Sequence, residues 1–418
     1  MVGRNCTLDD ILNEKQLDHV IRESIAGNVA YKLLDYEINP AVDGLSGFLG
    51  DHMRVRLKLK VEERVEDIRL FIKRMPMGNA VKKDFIVENK FFWREMTVFK
   101  LLEDFKGAYG PNPWVTKAYI YTDTLLVMPD LSFEGYISLP LHGTFDLPHV
   151  LLTTASIARF HASCANYETN KTLNGNHPYR ILDDYGHVFF ETTFQDTLWM
   201  RAAAKLTANL LKEFSTKYHV KNLEENLAKS YVAACDTLKE YEGDLNVLVH
   251  KDLWNNNILF KYENGAPVNS VIIDFQCTRY GPPTFDLLSF FYLTTSRSFR
   301  ERNEHMVFEH YFKTFMENVD EVTKLRMKEI NYDKVSFMGW CERSRMFGMM
   351  EAICIFPYVL MDPKNAQRVF DDPDTYIKYL NEDRSEPVIA YAKICKPYRE
   401  RQVELSEEYV QKYIINHL

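Results

Sequence analysis

The chain has 418 residues, 46% of them hydrophobic and 26% charged, which is globular composition long enough for two or three lobes. Acids outnumber bases, 59 to 51, for a net charge of -8, and no dense Lys/Arg block occurs, so no nucleic-acid partner is expected. The seven cysteines are widely spaced with no CxxC pair, which argues against a zinc site or a disulfide framework and fits reduced thiols in a cytoplasmic protein.

"MVGRNCTLDDILNEK" lacks an apolar signal core, and no apolar run reaches the length of a membrane span, so no membrane partner is expected. The glycosylation-type triplets at Asn5 and Asn170 read as chance matches.

Residues 7–35 read as one or two helices, with Ile11, Leu12, Leu17, Val20 and Ile21 forming an apolar stripe. A glycine run with Gly44, Gly47 and Gly50 follows. Val55, Leu57, Leu59 and Val61 then alternate with basic residues, and Ile68, Leu70 and Ile72 repeat the alternation, which predicts two strands. "VENKFFWREMTVFKLLEDF" has helical spacing, with Phe92, Glu95, Phe99 and Leu102 on one face. "AYIYTDTLLVMPDL" predicts two more strands turning at Thr122 to Thr124.

From about Phe145 the pattern is mostly helical, over 147–164, 193–217, 221–242, 300–329 and 333–360. A β island of "LNVLVH", "NILFKY" and "SVIIDF" interrupts it. The last two segments read as a hairpin turning through "ENGAPVN". The expectation is an α+β chain with a small β-rich lobe over residues 1–130 and a larger, mainly helical lobe over 131–418.

The loop "HKDLWNNN" precedes the hairpin, and Asp274 ends its second strand. Asp252, Asn257 and Asp274 should therefore meet at one sheet edge. Oxygen-only donors suit Mg²⁺, which shares its coordination with waters and substrate phosphates. A further acid there can orient or deprotonate a hydroxyl, and together these are the parts phosphoryl transfer needs. His, Asp and Asn also cap loops and turns, so the HxD…N spacing alone says little. Asp274, and Asp286 beyond it, give it weight.

"LFIKRMP", "FFWREMTVF", "IARFHASC", "VLVHKDLWNNNILF" and "IDFQCTRYGPPTFDLLSF" together resemble the insect ecdysteroid kinase-like (CHK-kinase-like) family. That family lies in the aminoglycoside phosphotransferase and choline kinase branch of the two-lobed protein-kinase-like fold. The branch's Gly-Pro and Asp-Leu after the metal aspartate are here Gly281, Pro282, Asp286 and Leu287. The resemblance spans about residues 44 to 350.

It implies that Asp252 is the catalytic base or orients the acceptor hydroxyl, and that Asn257 and Asp274 hold Mg²⁺ on the phosphates of ATP. Lys73 would bind the α/β-phosphates and pair with Glu95, with Glu88 as the rival partner. Gly44 and Gly47 would cover the phosphates through backbone N–H groups, and the adenine hinge would run from Val127 through Met128 to Leu131. His250 and Asp286 would brace the loop from behind. Two departures stand out. The glycine run lacks the family's Gly-x-Asn-polar pattern, and "MPDL" puts Pro129, which has no N–H, in the hinge.

"FMGWCERSRMFGMMEAICIFPYVLM" is core-like, but its counterpart in choline kinases binds a cationic headgroup, which would make Trp340, Glu342 and Glu351 acceptor-pocket residues. The 120 residues between Asp130 and His250 predict a helical insert, and no activation-type segment follows Asp274. Both point to a small-molecule alcohol acceptor, with no protein partner indicated. The resemblance favours an ecdysteroid or another apolar alcohol, in hormone inactivation or detoxication. Choline or ethanolamine is the runner-up, and a catalytically inactive binding protein on the same fold is the rival of a different class.

Overall fold

The computed structural model describes residues 6–25, 29–41, 49–76, 78–175, 177–217 and 220–415. Gly44 and Gly47 lie outside the described residues.

The N-terminal lobe is a five-stranded antiparallel sheet of β1 (Tyr31–Pro40), β2 (Asp51–Val61), β3 (Arg64–Arg74), β4 (Ile120–Tyr121) and β5 (Leu125–Pro129), in the order β1-β2-β3-β5-β4. Strand alternation decides its two faces. Met53, Val55, Leu57, Ile68, Leu70 and Ile72 point into a core closed by Leu12, Val20 and Ile21, the last two from α1 (Glu14–Ser24). Phe71 and Lys73, on the opposite face of β3, therefore point into the cleft beneath the sheet.

Helices α2 (Ala80–Glu88) and α3 (Phe91–Leu102) follow β3. They are separate because Lys90 takes a left-handed conformation at φ 55°. Glu88, exposed on α2, thus does not share a helical face with Glu95. Val98, Phe99, Leu101 and Leu102 of α3 belong to the large core of the C-terminal lobe, so this helix ties the lobes together.

The C-terminal lobe opens with β6 (Tyr136–Ile137), α4 (Leu147–Asn174), α5 (Ile181–Tyr185), α6 (Leu198–Phe214) and α7 (Leu223–Cys235). The β island follows as β7 (Val247–Val249), β8 (Ile258–Glu263), β9 (Ala266–Ile272) and β10 (Arg279–Gly281), pairing as β6-β8-β9 and β7-β10. The rest is helical: α8 (Thr284–Thr294), α9 (Arg297–Asn318), α10 (Glu321–Glu329), α11 (Lys334–Val359), α12 (Pro363–Phe370), α13 (Tyr376–Asn381), α14 (Ser385–Ile394) and α15 (Lys396–Tyr409). All of α8 is buried, and it packs on α11 so closely that a Cβ at Gly348 would stand 2.8 Å from the Leu288 carbonyl carbon.

Three sequence expectations change. The helical reading of 7–35 stops at Ser24, because Tyr31–Pro40 pairs with β2, a partner no local window shows. The helix expected over 300–329 breaks at Val319, where the Asp320 carboxylate accepts the Thr323 N–H at 2.7 Å and caps a new helix. The hairpin turn is only Asn264 and Gly265, both left-handed at φ 52° and 80°, as a two-residue hairpin requires.

Among the described residues no single helix is long and apolar enough to cross a membrane; only the bent pair α11 and α12 passes a length-and-composition test together.

Candidate active site

Strand β7 ends at Val249 and delivers His250 and Lys251 to a buried anion. The Asp286 carboxylate, in the first turn of α8, accepts the N–H of His250 at 2.6 Å and of Lys251 at 2.7 Å. It also accepts His161 Nε2–H at 3.0 Å, while His161 Nδ1 accepts the Tyr311 hydroxyl at 2.6 Å. His250 donates from Nε2 to the Ile273 carbonyl at 2.9 Å, so the loop before β8 is tied to the end of β9. Burial lowers the His250 pKa and keeps the imidazole neutral. Asn255 fixes the other side of the loop by donating to the carbonyls of Pro140 at 3.0 Å and Gly143 at 2.9 Å.

Thus held, the loop presents Asp252 and Asn257 to a cavity of about 550 Å³ between the lobes. Asn257 Nδ2 donates to the Asp252 backbone carbonyl at 2.8 Å and to its carboxylate at 2.9 Å, which leaves Asn257 Oδ1 as an acceptor. Burial first, and then the negative charge of Asp274, push the Asp252 carboxyl up to about 7; Lys251 and Asn257 pull the other way. Lys251 and Asp274 both adopt left-handed backbone, at φ 61° and 72°, a conformation costly outside glycine and concentrated at functional sites.

Lys73 joins three elements. Its ammonium donates to Glu95 of α3 at 2.7 Å, to Asp274 at 2.8 Å and to Gln276 at 2.8 Å. Burial alone would lower its pKa, but Asp274 and Glu95 outweigh that and hold the ammonium above its ordinary value. The same charge holds Asp274 below the usual carboxylate range despite burial. Glu95 also accepts the Phe275 N–H at 3.3 Å. A Cβ at Gly50 would approach Lys73 Cγ to 3.2 Å, so glycine there leaves room for the lysine stem.

Asp252, Asn257 and Asp274 offer oxygen donors only. Among the described residues no group of three His, Cys, Asp or Glu side chains forms a metal cage. Two carboxylates and one amide oxygen fit a hard cation that completes its shell with water and phosphate, and Mg²⁺ is bound that way.

A model of the ecdysteroid kinase-like family matches residues 45–324 of the 418, well over half of the chain. The chain belongs to the ecdysteroid kinase-like family. With the α+β architecture above, the two-lobed kinase-like fold expected from the sequence holds. No curated protein matches the chain. Solved structures similar to it include a microcompartment-associated aminopropanol kinase, at 12% identity and TM-score 0.36 with 94% of this chain and 97% of that one covered. Another is a choline/ethanolamine kinase family protein from Mesorhizobium loti, at 12% identity and TM-score 0.32 with 94% and 99% covered. A third is the GDP complex of aminoglycoside 2'-phosphotransferase-IIIa, at 10% identity and TM-score 0.35 with 97% and 100% covered. The assignment rests on the family match and not on these low scores.

The structure brings Lys73, Glu95, Asp252, Asn257, Asp274, Met128 and Leu131 to one cavity in this ecdysteroid kinase-like chain. It does not bring Val127 there: that side chain is fully buried in the core of the small lobe, and its carbonyl accepts the Tyr119 N–H at 2.8 Å. In the segment expected to form the hinge, the Asp130 N–H is spent on the Arg69 carbonyl at 2.9 Å, while the Leu131 N–H has no partner among the described residues.

The acceptor-wall expectation for Trp340, Glu342 and Glu351 is corrected, since none of the three lines the cavity. Trp340 is buried, donates its indole N–H to Asp244 at 3.0 Å and packs on Tyr241. Glu342 is at the surface, paired with Arg345 and Lys412. Glu351 is fully buried near the loop that carries Lys251 and Asp252, where burial raises its pKa well above the ordinary value. Their shared helix is buried all round from Ser344 onward, so its composition there could not tell wall from core.

Sequence reasoning also missed Gln276, His161 and Glu191. Gln276 stood inside "IDFQ" without a role. Glu191 accepts Lys251 at 2.7 Å, Arg279 at 2.8 Å and three successive backbone N–H groups, in a segment with no periodic signal.

Proposed function

We propose that this protein is an ATP- and Mg²⁺-dependent small-molecule kinase that phosphorylates a hydroxyl group of an ecdysteroid or another apolar alcohol. One observation carries the reading: the Lys73–Glu95–Asp274 junction and the Asp252–Asn257 pair face the same cavity. In this reading residues 1–130 form the nucleotide lobe, and residues 131–418 carry the catalytic loop and acceptor site.

Lys73 would neutralise α/β-phosphate oxygens, with Glu95 fixing its position. The Leu131 N–H is available to an adenine edge, and the absent N–H of Pro129 limits the hinge to fewer contacts. Asn257 and Asp274 would hold Mg²⁺, which when bound neutralises phosphate charge. The acceptor oxygen attacks the γ-phosphorus, the bond from that phosphorus to the ADP oxygen breaks, and the hydroxyl proton passes to an Asp252 carboxylate oxygen. An acid raised to about 7 is a better proton acceptor than an ordinary aspartate at neutral pH.

The cavity wall also includes Phe194, Trp199, Ile355, Tyr358, Val359 and Phe370, with no carboxylate among them. That surface suits a large apolar acceptor. The aromatic faces favour one second reading, a choline- or ethanolamine-type kinase.

The test is ATP consumption by the purified protein with Mg²⁺ and ecdysone, 20-hydroxyecdysone, choline or ethanolamine, with products weighed for one added phosphate. A phosphorylated steroid is the expected product. A phosphorylated amine alcohol would move the acceptor to the second reading, and no ATP-dependent product with any alcohol would remove the kinase reading.

A further inference from the structure

The aromatic wall is continuous with the catalytic loop. Lys251 Nζ stands 4.3 Å over the Phe194 ring, and Phe194 meets Trp199 edge to face at 5.2 Å. The Trp199 indole N–H donates to the Tyr358 hydroxyl at 3.1 Å, and Tyr358 packs on Phe370 at 4.5 Å. A bare arrangement of this kind would attract an ammonium group.

It is not bare. The Arg384 guanidinium carbon lies 5.5 Å from the Trp199 ring centre and 5.3 Å from the Tyr358 ring centre. Arg384 is fully buried and does not line the cavity, whereas Trp199, Tyr358 and Leu380 do, so the cation sits behind the wall. Its Nη1 donates to the Leu380 carbonyl at 3.2 Å, while Nε and Nη2 have no hydrogen-bond partner among the described residues. No carboxylate among the described residues pairs with it, although the adjacent Asp383 is within reach of Lys205 at 2.7 Å. A guanidinium keeps its charge in a protein, and a buried, unpaired one projects its field through the rings it touches.

Most other charges on the lining are paired: Lys251 and Arg279 share Glu191, Glu95 and Asp274 share Lys73, and Asp130 faces Arg54. Asp252, held by Asn257, is the lining carboxylate without an ion-pair partner among the described residues, and it lies on the loop before β8 and not on the aromatic wall.

We propose that Arg384 sets the charge selection of the acceptor site: by standing against Trp199 and Tyr358 from behind the wall, it selects against amine alcohols and in favour of neutral or anionic ones. The inference rests on the kinase reading for the word acceptor, and it makes Arg384 a positioning residue that acts through the two rings. A second cation seated on the cavity side of either ring would be roughly 10 Å from the guanidinium. At an effective dielectric of about 20 the repulsion amounts to about a tenfold loss of affinity.

The experiment uses choline and its uncharged carbon isostere 3,3-dimethylbutan-1-ol, which differ in charge and hardly in shape. Dissociation constants are measured by calorimetry on the full chain, and phosphoryl transfer is followed separately by product mass. The wild-type protein should bind the neutral probe at least tenfold more tightly than choline. Arg384→Met should reduce that ratio by about tenfold, and Arg384→Lys should restore it. A merely structural role would weaken both probes together and leave the ratio alone. Wild-type preference for choline, binding of neither probe, or an unchanged ratio in Arg384→Met overturns the proposal. The wild-type comparison decides even where the methionine variant fails to fold. Selective binding without product would remove the kinase reading and keep the charge selection; product with an unselective ratio would do the reverse.

Discussion

Replacing Lys73 with methionine keeps most of the length of the side chain and removes the charge that Glu95, Asp274 and Gln276 share. The Lys73 and Glu95 side chains are each only 3% exposed, so Glu95 cannot recover the lost partner from water, whereas Asp274, 20% exposed at the cavity, recovers part of it. Removing one partner of a buried ion pair typically costs about 3–5 kcal/mol. With an unfolding entropy of about 2.1 cal/mol/K per residue, 418 residues give about 0.9 kcal/mol/K, so Tm should fall by about 3–6 °C.

The loss should depend on pH. In the wild type burial already raises Glu95 to about 7, while Lys73 holds Asp274 below its ordinary range; without the ammonium both values should rise further, Asp274 above its unfolded value. Stability from such groups is present at low pH and lost as pH rises through the raised values. The gap between wild type and Lys73→Met should therefore widen from pH 5 to pH 8. Thermal unfolding of both proteins across that range, with and without Mg²⁺ and ATP, measures it, and ATP should raise Tm only in the wild type. A gap that stays constant with pH, or that is below about 1 °C at pH 8, would refute the shared-charge argument.

Other expectations follow from single contacts. Asp252 is protonated below about 7 in the fold, so kcat/KM should rise with pH to about 7 and then level off. Asp252→Asn should abolish turnover while keeping nucleotide binding. Because the raised carboxyl destabilises the fold once charged, that variant should match or exceed the wild-type Tm at pH 8. Near-normal turnover in Asp252→Asn would assign the proton to another group. Asp286→Ala leaves three buried donors unpaired at about 1–3 kcal/mol each, comparable with a whole protein's stability, so soluble folded protein should be lost on expression. Gly348→Ala forces a Cβ against Leu288 and should lower Tm by a few degrees, at about 1–3 kcal/mol, with KM for ATP unchanged.

Contiguous signals were legible without coordinates. The alternation in 55–61 and 68–72 marks two strands and shows that Lys73 leaves the sheet on the face opposite Ile72, because side chains in a strand alternate whatever the strand packs on. The loop from His250 to Asn257 and the turn at Asp274 were legible because a hairpin joins them within a short stretch of chain, and the family motifs they carry were quoted from that same stretch. Asp286 belongs with them, since it follows Asp274 closely.

What burial pattern alone leaves open is the partner. Trp340 and Tyr358 sit on one helix in the same apolar stretch, yet the first packs on Tyr241 and the second lines the cavity. From Ser344 onward this helix is buried on all sides and has no polar stripe to mark which face meets a ligand. Tyr31–Pro40 became a strand through pairing with β2, and Gln276 became a ligand of Lys73 although 203 residues separate them. Trp199, Tyr358 and Arg384 come from three helices or their caps and meet only when those helices pack. The residues proposed for phosphoryl transfer thus lie largely in local order, where covalent spacing limits the geometry. The aromatic wall proposed to meet the acceptor, and the charge behind it, exist only through contacts between distant segments, which local periodicity does not encode.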